Sequence, residues 1–92
     1  MIKNWYVYIV QCTDNSLYTG FTNDLKRRIK EHNRGIGAKS LRGKRPVRLV
    51  YQEIFQNSID AKKREYAIKQ WRREYKLKLI LSQEKGVLQK II

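Results

Sequence analysis

Two tyrosines, Tyr8 and Tyr18, sit in the short triplets Val7-Tyr8-Ile9 and Tyr18-Thr19-Gly20, on either side of the polar run Gln11-Cys12-Thr13-Asp14-Asn15-Ser16. Asp and Asn tolerate turn conformations, so the run predicts a hairpin and puts both tyrosines on paired strands. The length of the turn decides whether they share a face. A three-residue loop, Thr13-Asp14-Asn15 with Asn15 left-handed, sets Cys12 opposite Ser16, Val10 opposite Tyr18 and Tyr8 opposite Gly20. The tyrosines are then diagonal neighbours, roughly 7–8 Å apart at the backbone, and Val7, Ile9 and Leu17 form an apolar set on the other face. A two-residue Asp14-Asn15 turn pairs Tyr8 with Phe21 and sends the tyrosines to opposite faces, because side chains alternate along a strand.

Helical spacing adds a third element. A helix capped by Thr22 or Asn23 and ending at Asn33-Arg34-Gly35 is expected after the second strand. With Leu25 at zero and about 100° per residue, Ile29 falls near +40°, His32 near −20°, Arg28 near −60° and Arg27 near 200°. Arg28 and His32 therefore border the buried stripe, and Arg27 faces solvent. A third strand is expected over 47–54, with Val47, Leu49, Tyr51 and Glu53 alternating against Arg48, Val50 and Gln52. Ser58 can cap a second helix running to about Trp71, with Asp60 in its first turn and Ala61, Arg64, Ile68 and Trp71 on one stripe. A further helix carrying Tyr75, Leu77, Ile80 and Leu81 follows with no Gly or Pro between, so the sequence does not locate the break. The fold class is α+β: a small three-stranded antiparallel sheet covered by about three helices.

Composition narrows the partners. The 92 residues suit a single domain, and 21 Lys+Arg against 8 Asp+Glu leave a formal charge of +13, which a nearby polyanion would relieve. Five of the cations, Arg34, Lys39, Arg42, Lys44 and Arg45, lie in the Gly-rich segment 34–46. That mixture predicts an adaptable loop for phosphate contacts. A lone Cys12 excludes an intramolecular disulfide and a cysteine-only zinc site. No apolar run spans a membrane, the basic helices lack a broad apolar face, and the first residues carry no secretory pattern; a cytoplasmic protein without a membrane partner is expected.

The joint spacing Tyr-x9-Tyr-x-Gly-x7-Arg-x3-His, with Glu65 on a later helix, resembles the GIY-YIG nuclease domain. The resemblance covers about residues 5 to 81, leaving a short C-terminal tail, and is greatest to small stand-alone bacterial members. It implies Tyr8, Tyr18, Arg28, His32 and Glu65 as catalytic residues, with Glu65 the metal ligand. Departures from the pattern are Tyr6 for the first Gly, Thr19 for the middle Ile, and no Asn after Glu65, the last being Asn57.

The chemistry agrees with the resemblance. Phosphodiester hydrolysis needs an attacking water, charge relief at phosphorus and help for the leaving oxygen. Glu65 holding Mg²⁺ (or Mn²⁺), with waters completing its shell, serves the leaving group. Arg28 binds the phosphate through its fork of donors. Tyr18 is the candidate base or water-orienting group with Tyr8 beside it, and His32 either relays a proton or hydrogen-bonds a tyrosine. Taken singly, each has a plainer reading: strand tyrosines, a helical ion-pair glutamate, a helix C-terminal histidine. The expected function is a metal-dependent endonuclease acting on structured or damaged DNA, ahead of RNA, reading shape rather than sequence. The alternative is a nucleic-acid-binding module on the same scaffold that is non-catalytic or depends on a protein partner for targeting.

Overall fold

The computed structural model describes the backbone of residues 3–91 and the side chains of residues 3–84. The chain runs β1 (Trp5–Gln11), β2 (Leu17–Thr22), α1 (Leu25–Arg34), a 3-10 segment (Lys39–Lys44), β3 (Arg48–Phe55), α2 (Ser58–Lys69) and α3 (Arg73–Ile91). The three strands form one antiparallel sheet in the order β2-β1-β3. This is the expected α+β architecture. The tail expected beyond residue 81 is instead, up to Ile91, a continuation of α3.

The hairpin takes the three-residue loop. Asn15 is left-handed at φ 69°, the Cys12 amide donates to the Ser16 carbonyl at 2.9 Å, and Tyr8 stands opposite Gly20 with Val10 opposite Tyr18. One face of the sheet therefore carries Tyr8, Val10 and Cys12, packed with Leu41, Val47, Leu25 and Ile29 beneath α1 and the 3-10 segment. The other carries Val7 and Ile9 against Ala61 and Ile68 of α2 and Ile80 of α3. A side chain such as Val7, Ile9 or Ile68, fully shielded here, contributes about 1.5–3 kcal/mol.

Three local expectations change. The cap of α1 is Asp24, whose Oδ1 accepts from the Arg27 amide at 3.1 Å, while Thr22 turns back to accept from the Asp24 amide. The cap of α2 is Asn57, accepting from the Asp60 amide at 2.8 Å, and Ser58 is the first helical residue. In α2 the longer Asx side chain next to the expected serine reaches the free amide, and in α1 the helix begins one residue later than Asn23 would place it. The strict alternation of β3 fails at a bulge: Ile9 pairs with Tyr51 but Val10 pairs with Leu49. Val47 and Leu49 therefore face α1, whereas Tyr51 and Glu53 face α2, because one extra residue inverts the pleat.

The break between α2 and α3 falls at 70–72, where the Gln70 and Trp71 amides close the last turn on Ala67 and Ile68. No Gly or Pro forces it. Trp71 turns into the core beside Leu79, and the Arg64 guanidinium stands 5.3 Å from its ring centre. The exposed edge of β3 is sealed by Gln83 of α3, whose amide exchanges hydrogen bonds with the Gln52 backbone at 3.3 and 2.7 Å.

Candidate active site

The site is built around the hydroxyl of Tyr8, which is 1% exposed. The Tyr8 ring lies directly over the α-carbon of Gly20, its strand partner: a β-carbon there would stand 2.5 Å from the hydroxyl oxygen. The glycine of the second triplet is thus required by the tyrosine of the first. Tyr18 lies diagonally on the same face, ring centres 6.5 Å apart, and is half-buried.

His32 closes the site from α1. It is 1% exposed, packs its ring 5.5 Å from Tyr18, and brings Nε2 to 2.7 Å from the Tyr8 hydroxyl. Its other nitrogen, Nδ1, accepts from the Ala38 amide at 3.3 Å. An accepting Nδ1 bears no proton, so the ring proton sits on Nε2 and is donated to the Tyr8 oxygen. Burial, and after it the charge of Arg28, holds the His32 pKa below the usual 6.5, so the ring is neutral. With Nδ1 accepting from backbone and Nε2 on the phenol, His32 makes the tyrosine hydrogen bond that was one of its two expected uses. Gly37 makes this possible, since a β-carbon there would collide with Nδ1. Gly35, left-handed at φ 80°, ends α1 and turns the chain toward it.

Burial pushes the Tyr8 phenol up to about 12, an effect that the adjacent Arg28 guanidinium only partly offsets. Tyr8 keeps its proton at neutral pH. Because its oxygen accepts from His32, that proton is available to a second partner.

Arg28 stands at the rim, 34% exposed, with Nη1 3.2 Å from Oε1 of Glu31; Arg27 is the more exposed, at 66%, and its Nε stands 4.0 Å from the other oxygen of Glu31. Glu65 approaches from α2. Its side chain is only 14% exposed, its charge acts on Tyr8, and it pairs with Lys69 at 3.3 Å. The Lys69 ammonium also stands 5.9 Å from the centre of the Tyr18 ring. The structure therefore brings Tyr8, Tyr18, Arg28, His32 and Glu65 into one cluster, together with two residues not among the expected site residues, Glu31 and Lys69. Lys69 was detectable as the i+4 neighbour of Glu65; that its ammonium reaches Tyr18 was not.

Among the described residues no three His, Cys, Asp or Glu side chains gather into a metal cage. A single half-buried carboxylate suits a hard cation that keeps several waters and takes other oxygens from a phosphate, which is how Mg²⁺ is commonly held. It does not suit zinc. Glu65 is oriented indirectly by its neighbour in sequence: Arg64 binds Glu53 of β3 in a fork, at 2.9 to 3.2 Å, with Tyr51 hydroxyl also on Glu53, which fixes the rotation of α2 about the sheet.

The basic segment is less adaptable than expected. Leu41 anchors it in the core, and Asn33 bonds both backbone groups of Val47, at 2.7 and 3.1 Å. Lys44 reaches Asp14 at 3.6 Å and Ser16 at 3.4 Å, while Arg45 donates to the carbonyls of Arg42 and Asn33. Two of the five expected phosphate cations thus staple the segment to the hairpin and to α1. Arg34, Lys39 and Arg42 are exposed.

A small antiparallel sheet with two tyrosines on one face, a helical arginine and histidine over them, and a glutamate from the later helix defines a nuclease-type domain. The family model described as the GIY-YIG catalytic domain matches residues 4–78, and the chain belongs to that family. It is 58% identical over 77 residues to a UPF0213 protein of Clostridium perfringens, covering 84% of this chain and 83% of that one. A UPF0213 protein of Staphylococcus saprophyticus is 56% identical over 75 residues, 82% of this chain and 92% of the relative. Solution NMR structures show the same fold: a UPF0213 protein of Bacillus halodurans at TM-score 0.55 and 47% identity, over 84% of this chain and 82% of that one, and a protein of E. faecalis at 0.61 and 38%, over 89% and 88%. The family is one of nucleases, so nucleic acid is the class of partner it implies. No described helix is long and apolar enough to cross a membrane.

Proposed function

We propose that this protein is a metal-dependent endonuclease that hydrolyses phosphodiester bonds in structured or damaged DNA and reads shape rather than sequence. The observation that carries the reading is the convergence on the Tyr8 hydroxyl of His32 at 2.7 Å, Tyr18, Arg28 and Glu65. With Tyr8 itself, two residues come from one hairpin, two from α1 and one from α2. Nothing in packing alone calls for a buried tyrosine hydroxyl, a neutral histidine and two ion pairs at one point.

In this reading Arg28 leaves Glu31 for the scissile phosphate, offering parallel donors to two oxygens as negative charge builds. Tyr8, protonated and held by His32, donates its free proton as a hydrogen bond to the phosphate or to the attacking water. Tyr18, which solvent reaches, accepts a hydrogen bond from that water through its hydroxyl oxygen and orients it for attack. Glu65 would hold Mg²⁺ or Mn²⁺, which when bound supplies Lewis-acid stabilisation of the leaving oxygen. Arg34, Lys39 and Arg42 extend the cationic surface from the C-terminal end of α1, suited to backbone contacts that carry no sequence information. No described helix presents the features of a base-reading element, which favours shape as the signal.

The test is cleavage of labelled duplex, flap, junction and single-stranded substrates with Mg²⁺ or Mn²⁺, wild type beside Glu65→Gln. Loss of cleavage in the variant with binding retained is the expected result. Equal activity in both preparations would favour the other reading, a non-catalytic or partner-dependent binding module, for which the absence of an Asn after Glu65 speaks.

A further inference from the structure

The carboxylate assigned to the metal is already engaged. Lys69, one turn beyond Glu65 on α2, holds its ammonium 3.3 Å from Oε2. An exposed i,i+4 pair of this kind is ordinarily weak and loosely populated. This one differs in two respects. Glu65 is 14% exposed, so its charge is poorly served by water, and the Lys69 ammonium, on a side chain that is 44% exposed, also stands 5.9 Å from the centre of the Tyr18 ring. Lys69 therefore spans the metal-ligand carboxylate and the tyrosine of the water-activating position at once.

A divalent cation and an ammonium cannot both sit against one carboxylate without strong repulsion. A phosphate entering the site would offer Lys69 a second anion within reach of its flexible stem. The same site has a parallel arrangement on α1, where Arg28 pairs with Glu31 at 3.2 Å. Both cations that face the tyrosines are thus paired with carboxylates in the free protein.

We propose that Lys69 is a counterion latch: it neutralises Glu65 in the free protein and transfers to the substrate phosphate when nucleic acid binds, so that metal and nucleic acid load together. This rests on the metal-dependent nuclease reading, and assigns Lys69 a positioning role within it. The free protein binds the cation weakly; the complex binds it well. Because binding free energies are reciprocal, the cation tightens nucleic acid by the same factor.

The test is a Mn²⁺ titration followed by the electron paramagnetic resonance signal of the free ion, at one pH and ionic strength. It uses the full-length protein with and without a phosphorothioate-substituted junction DNA. Wild type is compared with Lys69→Met, with Glu65→Gln, and with Lys62→Met. The last removes an equal charge from the outer face of the same helix, where Lys62 is exposed. Lys69→Met is expected to bind Mn²⁺ roughly fivefold more tightly than wild type without DNA, the equivalent of losing a competing ion pair of about 1 kcal/mol. The enhancement of Mn²⁺ affinity by DNA should shrink in that variant, and Lys62→Met should behave as wild type. Equal Mn²⁺ affinity of wild type and Lys69→Met without DNA, with Glu65-dependent binding intact, overturns the latch and leaves the nuclease reading standing. Equal gains in the two lysine variants overturn it too, since they reduce the effect to net charge. Mn²⁺ binding that Glu65→Gln does not weaken, with or without DNA, overturns both readings. Circular dichroism of each variant verifies the fold; all three substitutions keep a long side chain.

Discussion

The Tyr8 hydroxyl and His32 Nε2 stand 2.7 Å apart, each residue 1% exposed, although β1 and α1 hold them on separate elements. The imidazole gives its proton to the phenol because its other nitrogen accepts from the Ala38 amide. Tyr8→Phe keeps the ring over Gly20 but strips His32 of its acceptor. A stability loss of about 1–3 kcal/mol is expected from the unsatisfied buried donor, together with a fall in cleavage of about 10²-fold or more if the hydroxyl supports the transition state. Denaturant unfolding and single-turnover cleavage read the two effects separately; unchanged cleavage would reduce Tyr8 to a structural residue.

Gly20→Ala places a methyl group where the Tyr8 hydroxyl end now lies. The ring has to move, and overpacking of this kind costs about 1–3 kcal/mol. Cleavage should fall further than stability does, because the displaced group is the one the site is built around. A thermally normal, fully active Gly20→Ala protein is the outcome that contradicts the packing described.

His32 makes a pH prediction of definite sign. Its pKa in the folded protein lies below 6.5, so between 6.5 and that lower value the unfolded chain binds a proton that the native protein does not. Stability from this residue is present above pH 6.5 and is lost as pH falls through the window. The difference in unfolding free energy between wild type and His32→Gln should therefore narrow from pH 7.5 to pH 5. A difference that widens on acidification would mean His32 is charged in the fold.

Arg28 and Arg27 are adjacent in sequence and both reach Glu31, but they differ in exposure, at 34% and 66%. Arg28→Ala should depress single-turnover cleavage by about 10²–10³, the scale of losing one transition-state charge partner. Arg27→Ala should alter only the affinity, and slightly. Similar losses from both would remove Arg28 from the reaction centre.

The basic segment separates binding from stability. Replacing Arg34, Lys39 and Arg42 by Ala should flatten the dependence of log K on log[salt] by up to about 2.7, at about 0.9 per phosphate contact, with little change in Tm. Lys44→Ala should instead lower Tm, because Lys44 joins the segment to Asp14 and Ser16 of the hairpin. An unaltered salt slope in the triple variant would place the phosphate path elsewhere on the surface.

What the sequence by itself determined is local. Turn chemistry at Asp14-Asn15, the helical angles of Leu25, Ile29, His32 and Arg28, and the positions of Glu65, Ala61 and Ile68 on one helix all follow from short-range rules, since each depends on neighbours within a few residues. Even there two registers of the hairpin were open, and it is the left-handed Asn15 that puts Tyr8 and Tyr18 on one face. The tertiary structure decided what depends on elements meeting. It bulged β3 so that Glu53 meets Arg64, and it broke the α2–α3 run at a position marked by no Gly or Pro, where Trp71 turns into the core. It set Nδ1 of His32 against the Ala38 amide and Nε2 against the Tyr8 hydroxyl. It turned two loop cations into staples and drew Lys69 across from Glu65 to Tyr18. A protonation state, and contacts such as Lys69 with Tyr18 or Arg64 with Glu53, are set by burial and by distance between groups far apart in the chain, and local sequence rules carry no information about either.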